Sequence, residues 1–288
     1  MRAKGIVGIL IRILRTRQCP PVLLLAVSFL QKMSVFVENK NEMKKLKLPS
    51  TLLEIVTNPQ IPDLLNLSLR LLLNLSFDPD LRIQMTESHL VPPVAKLSSV
   101  SDDSPQRQVA RCLLYQLSRE ERARSLISYT DAFPILVSQA LNCKGEIPIE
   151  LNALLINTAL SRPNAELLVK HNKGKTARSL VKRALKTRDP LLLKSVRNIA
   201  YHEGSCKEAM LPFIGNFASN VKSSDETFAV ECIGTLGWFS KNFCPAQSLT
   251  RLKEIKKCRN AAFSWLVASI LFETRLTLFV NYRVLFLK

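Results

Sequence analysis

The chain repeats itself every 40 to 42 residues. One position of this repeat, called the slot below, is occupied in chain order by Lys32, Asn74, Gln116, Asn157, Asn198 and Trp238, at intervals of 42, 42, 41, 41 and 40 residues. So regular a period is typical of stacked helical units, because one unit of about 40 residues cannot bury its own apolar face. The repeat therefore predicts a solenoid, a class of protein that usually binds other molecules rather than transforming them.

Mostly apolar residues lie three residues before the slot, two before it and one after it, and hydroxyl residues take three of these positions in the later units. They are Leu71, Leu72 and Leu75 in the second unit, Leu113, Leu114 and Leu117 in the third, Leu154, Leu155 and Thr158 in the fourth, Ser195, Val196 and Ile199 in the fifth, and Thr235, Leu236 and Phe239 in the sixth. Residues at these offsets lie on one side of an α-helix. The slot is therefore expected at the edge of a packed helical stripe.

The repeat length and the absence of strand-like alternation together predict the fold. Repeats of roughly 40 to 47 residues are the length expected for armadillo or HEAT units. We expect an all-α, right-handed superhelical armadillo-repeat solenoid of about six repeats of 40–42 residues. Its predicted organisation is a partial N-terminal repeat at 1–22, the solenoid at 23–243 and a divergent C-terminal segment at 244–288 that we interpret as non-native.

The polar slot residues Asn74, Gln116, Asn157 and Asn198 are the first candidate for partner binding. An amide at the edge of a packed helix can contact a partner. It can equally hydrogen-bond a neighbouring part of its own chain. Both interpretations are open at the level of sequence.

A basic stretch is the second candidate. The formal charge is +18, and between residues 170 and 188 there are eight lysines and arginines and no acid. The candidate partner-binding residues in this stretch are Lys175, Arg178, Lys182, Arg183 and Lys186. They form a solvated outer face, or they attract an acidic protein segment, a phosphate backbone or a lipid surface. Charge reversal at Lys182 and Arg183 is expected to slow association more than it changes the folded state.

Catalytic and metal-binding patterns are missing from the sequence. His89, His171 and His202 lie far apart in the sequence and do not form a ligand set for one metal ion. The string Gly174-Lys175-Thr176 lacks the earlier glycine and the strand of a phosphate-binding loop. We expect no enzyme activity, no metal, no cofactor and no small-molecule substrate.

Membrane and redox signals are weak as well. The apolar run at 261–272 is shorter than the roughly 20 residues of a spanning helix, so no membrane span is expected. Seven cysteines without a Cys-x-x-Cys pair fit a reducing cytosolic compartment. Cys112 and Cys232 fall inside apolar helical segments and are expected to be buried.

Several strings recur in the order and spacing of a known family. They are VSFLQK at 27–32, ENKN at 38–41, LLN at 64–66, NLSFD at 74–78, YTD at 129–131, KRALK at 182–186, DPLL at 189–192 and ECIGTL at 231–236. Over about residues 23–240 the chain resembles kinesin-associated protein, the armadillo-repeat non-motor accessory subunit of heterotrimeric kinesin-II. Relative to that family the chain looks truncated at both ends, and residues after Lys241 do not continue the family pattern.

The resemblance implies a function. Members of this family hold the tail regions of two motor heavy chains and link them to cargo adaptors for transport along microtubules, including intraciliary transport and cilium assembly. The implied location is the cytoplasm, the microtubule cytoskeleton and the cilium or axoneme.

Two other classes of armadillo-type protein share parts of this pattern. A nuclear-import adaptor would pair its slot residues with acidic groups, whereas this chain is strongly basic. A basic module that binds nucleic acid or another acidic partner is the alternative function. Regularly placed aromatic residues for base stacking are absent, so nucleic acid is the less favoured partner.

Overall fold

The computed structural model describes residues 5–16, 19–100 and 104–240, and these residues contain helices and turns but no strand. Helices α1 (Ile6–Thr16) and α2 (Pro20–Met33) come first. Three sets of three follow: α3 (Val37–Lys45), α4 (Leu48–Thr57) and α5 (Pro62–Leu75); α6 (Pro79–Glu87), α7 (Val91–Ser99) and α8 (Pro105–Leu117); α9 (Glu121–Ile127), α10 (Ala132–Asn142) and α11 (Ile149–Ala159).

The last two sets each include a short 3₁₀ segment. The fourth set is α12 (Arg162–Lys170), a 3₁₀ turn at His171–Gly174, α13 (Lys175–Thr187) and α14 (Pro190–Ala200). The fifth is α15 (Ser205–Met210), a 3₁₀ turn at Leu211–Phe213, α16 (Ile214–Ser219) and α17 (Glu226–Ser240). All six slot residues fall near the end of α2 or of the third helix of a set, so the predicted helical frame is confirmed.

Local sequence signals explain where the third helices begin. Pro62, Pro105 and Pro190 open α5, α8 and α14, where a missing N–H costs nothing and the fixed φ favours the helix. The Asp189 carboxylate accepts hydrogen bonds from the backbone N–H groups of Leu191 and Leu192 at 2.9 and 3.0 Å. Ser104 caps α8 in the same way through the N–H of Arg107.

The described residues form two compact units. The first contains the described residues up to Gln139 together with Gly145–Asn164. In it α2 packs on α5, α5 on α8 and α8 on α11. The predicted apolar stripe is its core, since Leu71, Leu72, Leu75 and their counterparts Leu113, Leu114 and Leu117 are fully buried.

The second unit contains Ala140–Lys144 and the described residues from Ala165 onward. Within it α13 packs on α14, and α14 packs on α17. Val196, Ile199, Leu236 and Phe239 supply its buried stripe, and Thr235 is buried with them. The apolar frame therefore keeps its packing role in the later repeats, although its residues become less uniform.

Other expectations have mixed outcomes. The predicted boundary between residues 22 and 23 falls inside α2, and the segment at 244–288 with its apolar run at 261–272 lies outside the described residues. None of the helices described is both long and apolar enough to cross a bilayer. Cys112 and Cys232 are buried as predicted, and burial raises their pKa values to about 11 and about 12.

Candidate protein-binding surfaces

Two slot amides bond to the preceding repeat. The side-chain N–H of Asn74 donates to the Ser34 hydroxyl at 3.1 Å, and that of Asn157 donates to the Ser118 hydroxyl at 3.1 Å. Ser34 and Ser118 directly follow α2 and α8, the helices that carry the preceding slots, and each serine donates in turn to a backbone carbonyl three residues earlier. Both asparagines are half-buried. Each of these asparagines therefore links two repeats by a hydrogen bond and also forms part of the protein surface.

Gln116 occupies the same slot but behaves differently. Its side chain is fully buried, and its Nε2 makes no hydrogen bond. Its Oε1 accepts a long hydrogen bond from Arg119 at 3.4 Å. Ser76 is the equivalent of Ser34 and Ser118 in this repeat, and its hydroxyl donates to the backbone carbonyl of Leu73. The expectation that Gln116 contacts a partner therefore disagrees with its burial, because a side chain with no exposed area cannot reach one in this conformation.

The remaining slots are diverse. Lys32 is exposed, Asn198 is buried with 8% of its surface exposed, and Trp238 is half-buried. The Trp238 ring packs edge-on against Tyr201, with 4.7 Å between the ring centroids. Arg197 and Glu231 form an ion pair at 3.1 Å between α14 and α17, and both side chains are largely buried. An aromatic and ionic contact thus joins these two slot helices in the second unit.

A capping device was missed by the sequence analysis. Asn39, Arg82 and Arg124 each donate to the backbone carbonyl six residues earlier, at the end of the preceding slot helix, over 2.9 to 3.1 Å. Arg82 also bonds Glu120 of the next repeat at 2.8 Å. The three donors are 43 and 42 residues apart, so the repeat period was the signal that could have found them. They satisfy carbonyl groups that a helix end leaves open.

The basic stretch begins in an unusual turn. Asn172 and Lys173 have φ values of 50° and 54°, and Gly174 has a φ of 77°. Left-handed backbone is costly for residues with a Cβ atom, by roughly 1–2 kcal/mol each. Helix α13 then starts at Lys175 without a side-chain cap and without an acid in its first turn. The positive charges of Lys175 and Arg178 therefore lie at the helix end that favours negative charge.

Four cations form one exposed stripe along α13, which we call the α13 stripe: Lys175, Arg178, Lys182 and Lys186. At 100° per residue they fall within a sector of about 80°, and they span about 17 Å along the axis. The opposite side of α13 buries Ala177, Leu180, Val181 and Ala184. That buried side faces the neighbouring helices, including α14, so the α13 stripe points away from the helix that carries Asn198.

Arg183 is on the same helix but belongs to the packing. Its Nη1 donates to the backbone carbonyl of Leu141, in the last turn of α10, at 2.7 Å. The side chain is half-buried. Among the α13 stripe cations, Arg178 donates locally to the carbonyl of Lys173 at 3.0 Å and remains exposed. The structure thus groups four of the five predicted basic residues on one surface and gives the fifth a structural contact.

The described residues hold no cluster of three His, Cys, Asp or Glu side chains that could bind a metal ion. His171 is engaged through its Nδ1 with the Thr176 hydroxyl at 2.8 Å. The two surfaces present amide and hydroxyl groups along the slot helices, and lysine and arginine along the α13 stripe.

Solved structures with the same arrangement define the class of fold. An engineered protein matches with a TM-score of 0.69 at 17% identity over 88% of this chain, which spans 61% of that protein. A designed armadillo repeat protein matches with a TM-score of 0.62 at 15% identity, over 81% of this chain and 99% of its own. A second one, solved in complex with the peptide (KR)4, matches with a TM-score of 0.64 at 14% identity.

At these identities the comparisons establish the fold: the chain is an all-α armadillo-repeat solenoid, as predicted. The family is established separately, since the model of the kinesin-associated protein family matches residues 1–243. The chain belongs to the kinesin-associated protein family.

Proposed function

We propose that this protein is a non-catalytic adaptor subunit of heterotrimeric kinesin-II. It binds the tail regions of the motor heavy chains and connects them to cargo adaptors for microtubule-based transport, including intraciliary transport. The proposed location is the cytoplasm, on microtubules and in the cilium or axoneme. The observation that carries the proposal is the match of the kinesin-associated protein family over residues 1–243.

The two surfaces support different parts of this function. In the first unit, the partly exposed Asn74 and Asn157 lie on slot helices and are the proposed contacts for a bound heavy-chain segment. Gln116 and Asn198 are buried and are not among the proposed contacts. The α13 stripe adds a separate cationic surface for acidic parts of the partner, where charge raises the rate of encounter more than the final affinity.

The test is a pull-down of the full chain with paired kinesin-II heavy-chain tails across a salt series. Retention at physiological salt is the expected result. A triple variant, Lys175→Glu, Lys182→Glu and Lys186→Glu, should weaken capture and flatten its salt dependence. A matched variant reverses three exposed cations elsewhere, Lys45→Glu, Lys96→Glu and Arg122→Glu, and should retain most of the binding because only the total charge changes.

A parallel binding experiment with nucleic acid tests the alternative function, that of a basic module for nucleic acid or another acidic partner. A basic module for nucleic acid should bind duplex DNA or RNA with an affinity that falls steeply with salt. Soluble, helical protein that ignores the tails and binds nucleic acid would overturn the adaptor proposal. Equal loss of tail binding in both triple variants would assign the electrostatic effect to net charge and remove the α13 stripe from the mechanism.

A further inference from the structure

A single free hydroxyl lies at the edge of the α13 stripe. Ser179 is exposed, and its side-chain hydroxyl makes no hydrogen bond. The other two hydroxyl groups of α13 are occupied: Thr176 is buried against His171, and Thr187 donates to the carbonyl of Arg183 at 2.9 Å. The Ser179 Oγ is therefore available for chemistry that the rest of the helix does not offer.

Cations surround this hydroxyl at helical spacing. Lys175 lies four residues before Ser179, and Lys182 and Arg183 lie three and four residues after it. Side chains three or four residues apart are neighbours on a helix surface, about 5–6 Å between Cβ atoms. A dianionic group on Ser179 would thus lie within reach of several cations and would form charge-assisted hydrogen bonds with them.

The start of α13 is also easy to open. It lacks a cap, begins next to left-handed residues and places Lys175 and Arg178 at the end of the helix where positive charge is unfavourable. Before Ser179 only two small side chains, Thr176 and Ala177, are buried. Unwinding the first turn therefore opens the residues before Ser179 to an enzyme that needs an extended substrate, and release of the buried Leu180 completes the access.

We propose that Ser179 is a phosphorylation site for a protein kinase that selects basic sequences, and that its phosphorylation switches the α13 stripe off. In the reaction the Ser179 oxygen bonds to the γ-phosphorus of ATP, the bond to ADP breaks, and the hydroxyl proton is lost. A phosphoserine carries a charge of about −1.5 to −2, so the stripe falls from four positive charges to about two. This inference rests on the proposed docking role of the stripe.

The experiment has two parts and uses the full chain. First, the purified protein and its Ser179→Ala variant are incubated with ATP and a basophilic serine/threonine kinase, and the sites are mapped by mass spectrometry. Phosphate on Ser179 of the wild type is expected. Absence of phosphate at Ser179 while other sites are modified would overturn the assignment of the site.

Second, binding of a labelled polyglutamate peptide is measured for the unmodified protein, the phosphorylated protein and Ser179→Glu. Loss of about two effective charges should weaken binding by about three- to tenfold at low salt, with a smaller difference at high salt. Asn41→Glu on α3 is the control, because it adds the same charge at an exposed helical position of the first unit.

The outcomes separate the switch from the stripe itself. If the unmodified protein binds polyglutamate and phosphorylation leaves the affinity unchanged, Ser179 phosphorylation does not regulate binding, and the docking role of the α13 stripe is retained. If the unmodified protein does not bind polyglutamate, the docking role of the stripe fails and the switch fails with it. If Asn41→Glu weakens binding as much as Ser179→Glu, the effect is one of net charge and the inference is overturned.

Discussion

The slot amides and the α13 stripe differ in how much of their bonding capacity is used within the chain. Asn74 and Asn157 each give a side-chain N–H to a serine of the preceding repeat. Lys175, Lys182 and Lys186 are exposed and form no ion pair within the residues that the structure describes. Two patterns that both suggested partner binding therefore have different physical roles. The amides hold repeats together and expose only part of each side chain to a partner, whereas the lysines are exposed along the surface of α13.

The first prediction concerns the apolar residues that hold the slot helices. Leu72→Ala should lower the free energy of unfolding by about 2–5 kcal/mol, because it opens a cavity at a fully buried position. Leu25→Ala is the control. Leu25 lies on a slot helix too, but 59% of its surface is exposed, so its truncation should change stability by no more than about 0.5 kcal/mol.

Denaturant unfolding followed by circular dichroism measures both variants. A similar loss of unfolding free energy in the two variants would mean that burial in the slot frame does not determine stability. The structural role assigned to the slot helices would then be wrong.

The second prediction compares the stability effects of charge reversal at two neighbouring cations of α13, Lys182 and Arg183. Arg183→Glu removes the hydrogen bond to the Leu141 carbonyl and places a carboxylate near the negative end of α10. It should cost about 1–3 kcal/mol of stability. Lys182→Glu has no such contact to lose and should change stability by no more than about 0.5 kcal/mol while weakening binding of polyglutamate.

Thermal melts and peptide binding, measured on the same preparations, test this division. The sequence led us to expect that both reversals would affect association more than the folded state. The structure changes that expectation for Arg183 alone. Equal stability of the two variants would show that the Arg183 contact contributes little to the free energy of unfolding. Arg183 would then again be a candidate for partner binding.

How much was predictable depends on how far apart in sequence the interacting residues lie. The helices and their buried stripe follow from offsets of one to four residues, so Leu71, Leu72 and Leu75 could be assigned correctly from the repeat alone. The partner of Asn74 is Ser34, 40 residues away, and the partner of Arg183 is Leu141, 42 residues away. Such contacts depend on how one repeat is set against the next, which a single sequence does not reveal.

A signal for the amide contacts was nevertheless present. Serine follows the slot by two residues in the first three units, at Ser34, Ser76 and Ser118, whereas the next two units have Ala159 and Ala200 there. A hydroxyl at a fixed offset in one repeat, followed by an amide in the slot of the next, could have indicated internal hydrogen bonds. It could not have told which slots remain partly exposed.

The third prediction concerns Gln116, the slot residue whose buried amide nitrogen has no hydrogen bond. Gln116→Asn should raise stability by about 0.5–1.5 kcal/mol, because the shorter amide can donate to the Ser76 hydroxyl as Asn74 does to Ser34. At present the Gln116 Nε2 is buried without a hydrogen bond. Asn74→Ala should lower stability by a similar amount.

Combination with Ser76→Ala tests the cause. The gain from Gln116→Asn should vanish in that background, because the new acceptor is absent. A gain that persists would come from removing the buried glutamine rather than from a restored tie between repeats, and the internal role assigned to the slot amides would then rest on Asn74 and Asn157 alone.

The smallest predicted effect lies in the α13 stripe itself. Lys182 is four residues from both Arg178 and Lys186, and each like-charged pair of this spacing costs about 0.2–0.5 kcal/mol. Lys182→Gln should therefore stabilise the protein slightly at low salt, and the gain should disappear at high salt because the charges are exposed. The exposed Lys96 supplies the control, Lys96→Gln, since the residues three and four away from it are uncharged: Pro92, Pro93, Ser99 and Val100. A free stripe must show this repulsion, because an internal counter-ion would already have relieved it. If Lys182→Gln is neutral or destabilising at low salt, the α13 stripe has a partner within the chain, and the contrast with the slot amides is wrong.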